Sequence, residues 1–142
     1  MKKIILLSIF MWMHAFAFAQ QPSAKTNHPE RTNILNALRK PIEKELQLEV
    51  KFVVDELNIE KNVAFFRGQV KNKLGKDIDF TKTIYNKNIK EGFFDGDATT
   101  ALLKKVKGVW KVITYVIGPT DVAWADWPEK YKVSKKLCGL QE

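Results

Sequence analysis

The residues whose types and spacing best suit gripping a ligand sit near the C-terminal end: Asp121, Trp124, Asp126 and Trp127, with Tyr131 four positions on. If Val122–Tyr131 turns helically, the three rings share one side, because residues three and four apart are neighbours on a helix. Aromatic faces beside carboxylates suit carbohydrate or peptide recognition. A plainer reading competes, in which the segment folds back as a clamp over one open end of a sheet, each ring burying about 150–250 Å². Arg67 adds a cation to this candidate binding set. With Tyr115 it is also an available partner for acid–base chemistry resting on Asp55, Glu56, Asp95, Asp97, Asp121 or Asp126.

Other chemistries lack their parts. The chain has one cysteine, Cys138, and two histidines, His14 and His28. A transition-metal site built from imidazole and thiolate needs three or four such ligands converging, so no metal is assigned. Cys138 has no histidine placed to activate it as a nucleophile. It reads as a packed free thiol, with a disulfide-linked dimer as the alternative, and a disulfide framework within the chain is excluded. Ser23 and Ser134 lie on no Gly-x-Ser-x-Gly turn. Gly68, Gly75, Gly92 and Gly96 are too dispersed to cradle a phosphate. Asp95-Gly96-Asp97 opens like a calcium loop, but Thr100 stands where that loop needs glycine and Val106 where it needs a bidentate glutamate. It reads as a turn. No catalytic residue and no cofactor is assigned.

The ends of the chain set the context. Lys2 and Lys3 precede the apolar run Ile4–Phe18, which closes on Ala17-Phe18-Ala19, the small-x-small pattern of signal peptidase cleavage. The run is too short for a spanning helix and is followed at once by Gln20-Gln21-Pro22-Ser23. Residues 1–19 therefore read as a signal peptide cleaved near Ala19, with no membrane span in the mature form and a periplasmic or secreted location. Residues 20–30 read as a flexible leader, and 31–142 as a single α+β domain with an aromatic C-terminal tail. Cleaving nineteen of 142 residues leaves 123, enough for one core. Lys2 and Lys3 leave with the signal, taking the formal charge from +8 to +6. That balance fits either a solvated lysine-rich surface or attraction to anionic material. The lysines are scattered rather than clustered with stacking aromatics, which argues against nucleic acid.

Ile34, Leu35, Leu38, Ile42 and Leu46 recur at spacings of three and four, which predicts a helix opening at Glu30 or Thr32. Pro41 is expected to kink or restart it. From Leu48 the period becomes two, and a parity break at Asp55-Glu56 predicts a bulge. Glu60-Lys61-Asn62 is expected to turn the chain into a second strand, Val63–Val70. Phe80–Phe94 reads as a short strand or irregular segment with Ile84, Tyr85 and Ile89 inward. Ala98–Val106 and Val109–Ile117, joined by Lys107-Gly108, make the clearest hairpin. In its second strand Trp110, Val112, Thr114 and Val116 share one parity, and Val109, Lys111, Ile113, Tyr115 and Ile117 the other. Apolar residues on both predict a central strand covered on two faces.

The order helix, hairpin, loop, hairpin resembles the cystatin-like and NTF2-like cone folds. Ala101-Leu102-Leu103-Lys104-Lys105, Gly108-Val109-Trp110-Lys111-Val112 and Ile117-Gly118-Pro119-Thr120-Asp121-Val122-Ala123-Trp124 are similar to stretches of small secreted bacterial proteins. The resemblance covers Arg31 to Gly139 and implies an N-terminal helix packed on a curved antiparallel sheet of four to five strands. Such folds host enzymes, carriers and interaction modules alike. The leading expectation is an exported, non-enzymatic binding or interaction module of the bacterial envelope. Its partner would be another envelope protein, anionic envelope material or a second copy of itself. The alternative is a small NTF2-like enzyme or carrier for an apolar ligand, which requires a concave pocket with a carboxylate inside.

Overall fold

Ile34, Leu38, Ile42 and Leu46 recur about one turn apart and give α1 (Arg31–Leu46) a single apolar stripe, all four side chains being buried. The computed structural model describes residues 28–141, so the stretch read as an export signal and leader residues 20–27 lie outside the described residues. Of the two outcomes expected at Pro41, a kink or a restart, the restart does not occur: α1 is one helix through Pro41. A proline in a helix interior costs about 3 kcal/mol or more, but Leu38 and Ile42 on either side of it are fully buried, and their packing holds the helix together. Glu43 and Arg39 fasten α1 to the next segment: Glu43 Oε1 accepts from Val50 N–H at 3.0 Å, and Arg39 Nε donates to Val50 C=O at 3.1 Å.

Four strands follow: β1 (Val50–Glu60), β2 (Val63–Asn72), β3 (Ala98–Val106) and β4 (Val109–Ile117). They form one sheet in the order β1-β2-β3-β4, each strand antiparallel to its neighbour, so the architecture is α+β. The β3–β4 turn has φ of 49° at Lys107 and 79° at Gly108, the left-handed pair whose twist matches that of the flanking strands. Gly68 on β2 answers a different need. A Cβ there would lie 2.1 Å from the Val53 carbonyl oxygen.

Both faces of the sheet are covered. Toward α1, Val50, Leu57, Ala64, Phe66, Leu103 and Trp110 join the helix stripe in one core. On the opposite face Phe65 of β2 and Leu102 of β3 pack with Trp127, Leu137 and Cys138 of the C-terminal segment, which contains α3 (Trp127–Tyr131). The two central strands are β2 and β3, and β4 is an edge. This corrects the expectation of a central Val109–Ile117 strand. Its apolar residues fall on both parities because the β3 register shifts between Leu102, opposite Thr114, and Leu103, opposite Val112. Ile113 is the extra residue of a bulge. Trp110 and Val112 before it, and Tyr115 and Ile117 after it, all belong to the α1-facing core. A second register shift lies in β1 between Val54 and Glu56, where the parity break predicts it.

The connection from β2 to β3, expected as a short strand or irregular segment, contains a 3₁₀ turn at Phe80–Lys82 and α2 (Asn86–Lys90). Side chains satisfy its backbone locally. Asp79 Oδ1 accepts from Thr81 N–H, and Thr83 Oγ1 accepts from Tyr85 N–H. Such bonds offer the backbone an alternative to ladder pairing. Lys71 on β2 pairs with both Asp77 and Asp97, which anchors the connection near its two ends.

Candidate functional site

Three polar side chains from three elements converge beside β4. Glu45 comes from the last turn of α1, Tyr115 from β4 and Tyr85 from the residue preceding α2. Tyr85 O–H donates to Glu45 Oε1 and Tyr115 O–H donates to Glu45 Oε2. The bulge makes this meeting possible. Strict alternation from Trp110 would send Tyr115 to the opposite face of the sheet, whereas the extra residue Ile113 returns it to the α1 side.

Burial, and then the neighbouring Glu45 carboxylate, push both phenols well above the usual tyrosine range. Each therefore stays protonated and acts as a fixed donor. None of the ion pairs among the described residues includes Glu45. The group is thus a carboxylate held on both oxygens by neutral donors, with no basic side chain to neutralise it.

Aromatic rings form one wall. The Tyr85 and Phe94 ring centroids are 4.7 Å apart, and Phe80 lies 4.8 Å from Phe94. Gly118 seats Phe94: it has φ of 63°, and a Cβ there would come within 2.5 Å of the Phe94 ring. Phe93 stands 67 % exposed at the rim. Glu45, Tyr85, Phe93, Phe94, Ile113 and Tyr115 line a groove of about 600 Å³, with Phe80 packed behind the Phe94 ring. A second groove of about 550 Å³ shares Pro41 and Val112 with the first and reaches Trp110 and Gly108. Near that end Glu30 accepts from Trp110 Nε1 and from Lys105 Nζ, the latter at 2.9 Å. The Trp110 hydrogen bond first, and Lys105 second, hold the Glu30 carboxyl below the usual range.

The residues singled out from sequence lie elsewhere. Trp127 is buried, and Trp124 is half-buried; both rings stand 6.3 Å from Phe65 on the face away from α1. Asp121 and Asp126 are exposed. Asp121 engages Ala123 N–H through its backbone carbonyl rather than by the side-chain cap its type suggests. Arg67 pairs with Glu56 at 3.0 Å. Asp97 of the Asp95-Gly96-Asp97 turn is committed to Lys71. The fold brings the two tryptophans together on one ring, with the position of a clamp, and does not bring them to the groove.

The sequence pattern does not single out Glu45, because it is one of several charged residues flanking the apolar stripe of the helix. The available signal was its place between Ile42 and Leu46, at the border of the stripe. Tyr85 and Tyr115 were visible as an inward ring and an acid–base partner, but nothing in the local pattern joined them. No family model, curated protein or solved structure matches this chain.

Proposed function

We propose that the protein is an exported, non-enzymatic binding module of the bacterial envelope, built on a cone-like sheet of cystatin-like or NTF2-like type, and that its ligand site is the groove at Glu45. The observation that carries this reading is the pair of phenols donating to one carboxylate inside a groove of about 600 Å³ with aromatic walls. The carboxylate oxygens are already accepting and the phenols stay protonated, which suits holding a ligand's charge rather than moving a proton. The formal charge, +8 for the full chain and +6 once Lys2 and Lys3 leave with the signal, favours a partner that is acidic overall, while Glu45 selects one basic group on it.

The alternative, a small enzyme or carrier of the cone-fold type, has support in the same place, because a carboxylate stands inside the groove. One experiment separates the two. Wild-type protein and Glu45→Gln are compared for partner recovery from envelope extract over a salt series. Recovery that falls with the substitution and with salt supports the binding module. Recovery of nothing by the wild type at every salt concentration overturns it.

A further inference from the structure

A groove over the face of a strand is lined by alternate residues. The two grooves between α1 and β4 are instead lined by every residue from Gly108 to Pro119. Both parities are reached together from the edge of a strand, not from its face. Among the described residues β4 pairs with β3 alone, so its outer edge carries unpaired N–H and C=O groups. Gly118 N–H donates to Ala98 C=O, and in the antiparallel alternation this turns the backbone groups of Ile117 and Tyr115 away from β3. The other edge of the sheet is tied to its neighbouring segments by side-chain bonds. On β1, Asn58 donates to the Leu137 carbonyl at 2.9 Å and Glu60 accepts from Ser134.

An open strand edge and an unneutralised carboxylate thus share one groove. We propose that it receives an extended peptide segment of a partner protein, which adds as a strand to β4 over Ile113–Ile117 and lays a lysine or arginine side chain on Glu45. This rests on the groove being the ligand site. Main-chain hydrogen bonds supply affinity in such additions, and side-chain pockets supply selectivity. A carboxylate offers about four acceptor positions, and the two phenols occupy two of them. The remainder face a basic head group. The methylene stem of that side chain covers Phe93 and Ile113, which are 67 % and 39 % exposed.

The test uses a synthetic octapeptide of alternating threonine and valine with one central lysine, titrated into the protein while backbone amide resonances are followed. Three comparators accompany it: the same peptide with glutamate for lysine, the same peptide methylated on alternate backbone nitrogens, and n-butylammonium. The lysine peptide is expected to shift the Ile113–Ile117 amides and to bind about tenfold more tightly than any comparator. Glu45→Gln removes the preference for lysine over glutamate. Phe93→Ala, at an exposed position that the fold does not need, weakens the lysine peptide several-fold and guards against a misfolded Gln variant. If butylammonium binds as well as the peptide and methylation changes nothing, strand addition is wrong while the groove remains a cation site. If neither probe shifts Glu45, Tyr85 or Tyr115, the groove reading falls as well. If light scattering shows dimers and the β4 amides shift with protein concentration alone, the occupant is a second copy and the proposal is overturned.

Discussion

Glu45 depends on two phenols, and each phenol depends on being un-ionised. Removing either donor, by Tyr85→Phe or Tyr115→Phe, is expected to cost about 1.5–3 kcal/mol in urea unfolding, as for a hydrogen bond to a charged acceptor. The two tyrosines also set an alkaline limit. Their folded values lie above the ordinary 10.0, so the stability they contribute is complete below about 10 and is lost as pH rises through the folded values. The double Phe variant should lose less stability over that range than the wild type, and ultraviolet titration should show Tyr85 and Tyr115 ionising later in the folded chain than in urea. Cys138 behaves alike. Burial first, then Glu60 and Glu56, push its thiol from 9.0 up to about 11. Its contribution is whole below 9.0 and drains toward 11. The native thiol should resist a thiol reagent at neutral pH until the protein unfolds, and prompt reaction in the folded state would show that it is not packed against the sheet.

The elements were legible wherever one residue period ruled an entire stretch. The stripe from Ile34 to Leu46, the hairpin turn at Lys107-Gly108 and the parity break at Asp55-Glu56 each carry their own local signal. Phe80–Phe94 does not, because its structure comes from Asp79 and Thr83 capping neighbouring amides rather than from any period. The site was lost at Ile113. Alternation misplaces Tyr115 by one face there, and only the pairing with β3 reveals the extra residue. Deleting Ile113 should therefore be tolerated, since Val112, Thr114 and Tyr115 would then alternate regularly on the faces they already occupy. Deleting Leu103, inside regular β3, should unfold the protein, and circular dichroism with a thermal melt distinguishes the two. Gly68→Ala should cost about 1–3 kcal/mol by chemical denaturation, since a new methyl meets the Val53 carbonyl and overpacking has no room to relax.

At the scale of the molecule, α1 closes one face of the sheet and the C-terminal segment closes the other. Trp127→Ala should cost about 3–5 kcal/mol, and truncation before Thr120 more, because it uncovers Phe65 and Leu102 together. A truncated protein that melts like the full chain but loses its partner would move the functional surface to Asp121, Trp124 and Trp127. The second face also imposes an order in time. Phe65 and Leu102 find cover from Trp127, Leu137 and Cys138, and Asn58 bonds to a carbonyl 79 residues further along. During synthesis from the N-terminus, the sheet emerges before the side chains that cover its second face. The nascent polypeptide thus carries Phe65 and Leu102 as a greasy surface on offer to holdases until the C-terminal segment is made, and its final collapse waits until Cys138 has been added.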